Sequence, residues 1–168
     1  MNNEIVVRKA KIEDINLVLD IYKKAINIMI ENGILQWDNI YPDRKILYQD
    51  IENDQMFLGE INGEIVSIFV LNQECDEEYK NGKWNYEQSS FAVIHRFCVN
   101  TNFQNKGIGS KTMNVIEEIL KEKSIETIRL DTFSLNPFAL KMYEKCGYIK
   151  VGEVNWRKGL FYLFEKKL

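Results

Sequence analysis

Six consecutive residues, Gln104-Asn105-Lys106-Gly107-Ile108-Gly109, have the types and spacing to hold a phosphate. Small residues let a phosphate approach the backbone, and the exposed N–H groups at the start of a helix bind it. Nine glycines in 168 residues give about half a Gly-x-Gly match by chance, so the motif draws its weight from its setting. Ahead of it, residues 91–99 are rich in β-branched and aromatic types and predict a strand. Behind it, Met113, Ile116, Ile119 and Leu120 predict an amphipathic helix. Two other phosphate loops are excluded by what is missing. A Walker loop needs glycine where Gln104 stands and lysine where Ser110 stands, and a dinucleotide fingerprint needs a third glycine where Thr112 stands.

Other chemistries have less to build on. Cys75, Cys98 and Cys146 are far apart, and His95 is the single histidine, so no metal is expected. A net charge of -3 argues against nucleic acid, which demands a concentrated excess of Lys and Arg. Residues 1–10 carry no basic-then-apolar leader, and no apolar run nears the about 20 residues that cross a bilayer. No membrane partner and a cytoplasmic location are expected.

The elements that must position the loop read in order along the chain. A short strand at 4–8 precedes a helix opened by Asp14, with Ile15, Val18, Leu19, Tyr22, Ala25, Ile26 and Met29 on one face, ended by Gly33. Pro42 and Asp43 start a second helix after an aromatic connector at 34–41. Strands at 56–61 and 64–71 flank Asn62-Gly63, a hairpin signal. The polar, acidic stretch 72–90 reads as an exposed loop. A strand at 127–133, a helix at 137–145 capped by Asn136, and strands at 148–154 and 160–165 complete the order. This predicts one domain, residues 1–168, of mixed α/β class: a mostly antiparallel sheet of about seven strands with helices on both faces.

The glycine loop resembles that of the GNAT superfamily of CoA-dependent N-acyltransferases, whose Gln/Arg-x-x-Gly-x-Gly/Ala pattern it reproduces. A second segment also resembles that family: Asn136-Pro137-Phe138-Ala139-Leu140-Lys141-Met142-Tyr143-Glu144-Lys145-Cys146-Gly147-Tyr148 matches its later helix. Val7-Arg8-Lys9-Ala10 with Asp14 is similar to its start, so the resemblance spans essentially the whole chain. Gly33-Ile34-Leu35-Gln36-Trp37 and Tyr41-Pro42 resemble one bacterial branch of it.

The resemblance implies transfer of an acetyl group from acetyl-CoA to a primary amine of a small molecule, peptide or protein. It implies that the backbone of Phe97, Cys98 and Val99 pairs with the pantetheine arm. The N–H groups of Gln104, Asn105, Lys106, Gly107, Ile108, Gly109 and Ser110 would hold the pyrophosphate, and the sheet would splay beside them. Tyr143 matches the family tyrosine that faces the sulfur, and a phenol can protonate a departing thiolate; the alternative is that it only packs. His95 is a candidate base, placed by strand alternation on one face with Phe97 and Val99, or else a hydrogen-bonded structural residue. Arg96, opposite, reads as a salt-bridge partner, and Glu60, Glu64 and Glu87 are alternative bases.

Asn136 is both a cap and a candidate pantetheine contact, and Phe138 and Lys141 are candidates near the adenine end. Tyr22, Trp37, Tyr41 and Trp84 are candidates to line the acceptor pocket, or to form a second hydrophobic cluster under a loop. Glu74 to Glu78 either attracts a cationic amine or is solvated surface. The rival function is a CoA-binding sensor without turnover. A toxin-type enzyme acting on charged transfer RNA would want a basic surface, which the charge of -3 opposes. The final strand, at 160–164, is read as a sheet edge able to pair in a homodimer.

Overall fold

The computed structural model describes residues 4–168. Residues 1–3, on which part of the expectation about a leader rests, lie outside the described residues. Strand β1 (Val6–Lys9) is tied to its neighbours by Arg8, which bridges Asp14 at 2.7 Å and Glu60 at 2.8 Å. Helix α1 (Ile15–Glu31) buries Ile15, Val18, Tyr22, Ala25 and Ile26 as one stripe, the face its spacing predicts. Helix α2 (Arg44–Glu52) is capped by Asp43, whose side chain accepts from the Ile46 N–H at 2.9 Å. Strands β2 (Met56–Ile61) and β3 (Glu64–Asn72) meet at Asn62 and Gly63, whose φ values of 51° and 81° are those of a type I′ turn.

Strand β4 (Phe91–Val99) leads through the glycine loop into α3 (Ile108–Glu122). Then come β5 (Thr127–Phe133), α4 (Pro137–Lys145), β6 (Ile149–Trp156) and β7 (Gly159–Lys167). The seven strands form one sheet in the order β1-β2-β3-β4-β5-β7-β6. Only β4 and β5 are parallel neighbours; the other pairs are antiparallel. Helices α1 and α2 pack on Leu58, Ile68 and Val70 from one face. Helices α3 and α4 pack on Ile94, Ile128, Leu130 and Phe164 from the other.

One expectation fails here, and a second, the exposed loop at 72–90, holds except at one point. Residues 160–164 are not an edge, because β7 sits between β5 and β6 and is hydrogen-bonded on both sides. The pairing expected for a homodimer therefore has no free strand there; the edges are β1 and β6. The stretch after β3 is also more than solvated loop. Its 3-10 turn, Glu77–Asn81, buries Tyr79 against Val93, Phe133, Val151 and Leu163. In sequence its charges dominate, and an isolated tyrosine among them carries no periodicity to reveal an inward-facing anchor.

The feature that makes the site is where pairing stops. β4 and β5 pair from Phe91 opposite Thr127 to Ile94 opposite Leu130, and no further. Beyond that point the two strands run on separately, so β4 keeps β3 on one side and presents an open backbone edge on the other.

Candidate active site

A single cavity of about 1320 Å³ follows that gap, from the glycine loop past β4 and α4 to the connector between α1 and α2. At one end, Gly107 is the N-cap of α3 in the left-handed conformation, φ 73°, with open space where a Cβ would stand. Asn105 is also left-handed, φ 60°. The first N–H groups of α3 have no partner within the helix and carry the positive end of its dipole. Gly109 serves differently: a Cβ there would come within 2.5 Å of Met142 Sδ, so its absence lets α3 and α4 pack closely. Gln104, Asn105, Gly107, Ile108, Gly109 and Ser110 all line the cavity. Lys106 instead turns back, its Nζ donating to the Asn102 carbonyl at 3.2 Å and lying over Phe103. An open strand edge beside a helix N-terminus fits a long ligand that is anionic at one end.

Tyr143 and Asp131 line the cavity between its two ends. Tyr143 on α4 is only 5% exposed, its ring set between Tyr148 and Phe164, and it lines the cavity. Burial, with the nearby charge of Asp131, holds its phenol well above the ordinary range, so it stays protonated and able to donate. Asp131 follows Leu130, the last β5 residue paired with β4, and lines the cavity as well. Its Oδ2 accepts from the Tyr79 hydroxyl at 2.6 Å. Burial, reinforced by Asp76 and opposed by Tyr79 and Arg96, pushes the Asp131 carboxyl up to about 6.

His95 does not share a face with Phe97 and Val99. A β-bulge opposite Phe69 inserts one residue into β4, with Arg96 at φ 50°, and breaks the alternation. Phe97 thereby joins the α3–α4 face with Ala92 and Ile94, while Cys98 joins the α1–α2 face. His95 Nε2 lies 2.8 Å from Asn72 Oδ1 and 3.1 Å from the Glu74 carbonyl; both are acceptors, which assigns the proton to Nε2. Burial and the Arg96 charge push His95 down to about 4. Its proton affinity is thus lowered where that of Asp131 is raised. Burial pushes the Cys98 thiol up to about 12, which disfavours its thiolate.

The bulge turns Arg96 into the expected salt bridge. Its Nε and Nη2 donate to the two Asp50 oxygens at 2.8 and 2.6 Å, and Nη1 donates to the Tyr41 hydroxyl at 2.8 Å. Trp37 and Tyr41 line the far end of the cavity. Tyr22 does not: it is 1% exposed, packs on Trp37 and donates its hydroxyl to the Arg96 carbonyl, supporting the bulge from behind. Trp84 is also outside the cavity, stacked on Tyr79. Glu60 is committed to Arg8, and neither Glu64 nor Glu87 reaches the main cavity.

Asn136 caps α4 by accepting from the Ala139 N–H at 3.1 Å, and its Nδ2 donates to Gln36 at 2.9 Å. Phe138 is 67% exposed at the cavity rim, and Lys141 is exposed away from it. Asp38 of the same connector binds Arg157 at 2.8 Å and Lys158 at 3.3 Å in the β6–β7 turn. These contacts bridge one end of the cavity. Asp131 is the functional candidate that sequence reading missed; a carboxylate inside the apolar strand Thr-Ile-Arg-Leu-Asp-Thr-Phe was the available signal. No helix among the described residues is long and apolar enough to cross a membrane, and no group of metal-ligating side chains occurs among them.

A model of the Acetyltransferase (GNAT) family matches residues 22–148. The chain is 24% identical over 164 residues to the S-(2-succino)cysteine N-acetyltransferase of Bacillus subtilis (strain 168), covering 95% of this chain and 93% of that one. It is 29% identical over 92 residues to the spermine/spermidine N(1)-acetyltransferase of the same strain, 54% of this chain and 55% of that one. Its fold matches a GNAT family acetyltransferase from Streptococcus agalactiae 2603 with a TM-score of 0.85 at 20% identity, over 98% of this chain and 95% of that chain. The splayed sheet is therefore this family's fold carried by this family's sequence, and the chain belongs to the GNAT acetyltransferases as an acyl-CoA-dependent N-acetyltransferase.

Proposed function

We propose that this N-acetyltransferase acetylates a primary amine of a small molecule, that Asp131 accepts the proton the amine sheds, and that Tyr143 protonates the leaving sulfur. The N–H groups of Ile108, Gly109 and Ser110, with the backbone of Gln104, Asn105 and Gly107, would hold the pyrophosphate. The open edge of β4 at Phe97, Cys98 and Val99 would hold the extended arm. Acetyl-CoA, when bound, supplies an activated acetyl thioester.

The observation that carries the reading is the position of Asp131 at the mouth of the splay, lining the cavity that Tyr143 also lines. A carboxyl at about 6 is ionised at neutral pH yet basic enough to take a proton as the amine nitrogen bonds to the acyl carbon. As the carbon–sulfur bond breaks, the Tyr143 proton goes to sulfur. The proton on Asp131 then returns through solvent to the Tyr143 phenolate, so both groups are reset. Asp131 takes this role in place of His95, whose burial leaves it neutral but weakly basic. The bridge from Asp38 to Arg157 and Lys158 ties the connector to the β6–β7 turn beside the acceptor end, an arrangement that fits a small amine better than a folded protein surface. The relatives named for S-(2-succino)cysteine and for spermine support a small acceptor.

The test is thiol release from acetyl-CoA with a panel of amines between pH 5 and 9, for wild type and Asp131→Asn. Taking the ratio of the two kcat/KM values cancels the amine's own ionisation. That ratio is expected to reach roughly 10²–10⁴ above pH 6 and to fall about tenfold per pH unit below it, as Asp131 protonates. A ratio near one at every pH would remove Asp131 from the reaction.

A further inference from the structure

We infer that Tyr79, delivered by the loop between β3 and β4, is a positioning residue for acetyl transfer: its hydroxyl fixes the Asp131 carboxylate at the mouth of the splay. This rests on the reading of Asp131 as the proton acceptor.

The geometry is specific. Tyr79 is 2% exposed, and its hydroxyl donates to Asp131 Oδ2 at 2.6 Å, a bond between residues 52 apart in sequence. Among the described residues only Oδ2 is so engaged, which leaves Oδ1 as the oxygen to take a proton. An aspartate side chain facing a cavity can swing through its staggered χ1 wells, and a charge-assisted bond to a buried hydroxyl selects one of them.

The loop is built to hold that tyrosine. The Trp84 ring stacks on Tyr79 at 5.6 Å, and Trp84 Nε1 donates to the Tyr79 carbonyl at 2.8 Å. Trp84 in turn lies over the Arg129 guanidinium at 4.5 Å, whose other face meets Phe91 at 4.1 Å. The Lys83 N–H donates to the Val151 carbonyl at 2.7 Å, and the N–H groups of Asn85 and Tyr86 donate to Glu165 at 2.9 and 3.2 Å. Ordering a polar loop costs about 1–2 kcal/mol of backbone entropy per residue, so four separate anchors around one inward tyrosine mark what the loop is for.

The hydrogen bond also acts on proton affinity. Asp131 faces Asp76 and Tyr79 from the loop, Arg96 from β4, Tyr41 from the α1–α2 connector and Tyr143 from α4. Of these, Tyr79 and Arg96 favour the ionised carboxylate, while Asp76 and burial oppose it. Losing the Tyr79 hydroxyl therefore raises the pH at which Asp131 ionises and frees its rotamer.

The experiment is Tyr79→Phe, which keeps the ring, assayed by thiol release across pH 5–9 alongside thermal melting and acetyl-CoA titration. The expected result is kcat/KM lowered about tenfold at pH 7, an acid limb moved to higher pH, and unchanged acetyl-CoA affinity. In the Asp131→Asn background the same change is expected to add nothing further to the rate loss, since the two residues act as one unit. A second variant, Trp84→Phe, removes the donor to the Tyr79 carbonyl and is expected to move the limb in the same direction by less. An unmoved limb in both variants, with Asp131→Asn inactive, overturns the positioning role alone. Wild-type activity in Asp131→Asn overturns the reading of Asp131, and the inference falls with it.

Discussion

Asp131 stands one residue beyond the last backbone pair between β4 and β5, where the strands part, and its residue lines the cavity. Tyr143 lines the same cavity from α4, and burial raises both groups, which suits the proposed roles of a basic carboxyl and a protonated phenol. Tyr143→Phe is therefore expected to lower kcat by roughly 10²-fold while leaving the acetyl-CoA dissociation constant within about twofold, measured by thiol release and calorimetry. A wild-type rate would show that the sulfur takes its proton elsewhere. The place of Tyr143 on a helix beside the cavity was legible in the sequence because a helix motif surrounds it. Asp131 was not, because its meaning depends on where a strand pair ends, and no local pattern marks that place. His95 was read as a base or as a hydrogen-bonded structural residue, and its bonds to Asn72 and Glu74, with burial that lowers its proton affinity, suit the second.

The boundaries of β4, β5 and α4 follow from local chemistry: β-branched and aromatic runs, an Asn cap, a proline in the first turn. The bulge in β4 does not. Nothing in Ile94-His95-Arg96-Phe97 announces a left-handed arginine, a conformation that a non-glycine residue takes only when its surroundings hold it there. Here the surroundings are visible: Asp50 grips the guanidinium, Tyr41 extends the contact, and Tyr22 donates to the Arg96 carbonyl. Both partners of the Arg96–Asp50 pair are nearly buried. Asp50→Ala leaves that arginine uncompensated and is expected to destabilise the fold by about 3–5 kcal/mol, measured by urea unfolding. A loss below about 1 kcal/mol would mean that water or Tyr41 substitutes for the carboxylate.

For the molecule as a whole, the sequence order of strands is not their spatial order: β7 inserts between β5 and β6, a choice made by long-range pairing that local patterns do not encode. The parallel contact of β4 with β5, short and then abandoned, creates a single cavity that joins a helix N-terminus to an aromatic connector. Glycine spacing at residues 104–109 was legible, whereas the separate uses of Gly107 and Gly109 needed the packing of α3 against α4. Everything proposed for Asp131, Tyr143 and Tyr79 requires that this one cavity receive acetyl-CoA with its anionic end on the Gly107 loop. Calorimetric titration of wild type and Gly107→Glu with acetyl-CoA tests that requirement at its root. Micromolar binding, about -8 kcal/mol, is expected for the wild type and none for the variant, whose added carboxylate would stand where the phosphates belong. Equal binding by both would contradict it and move the pyrophosphate away from the start of α3.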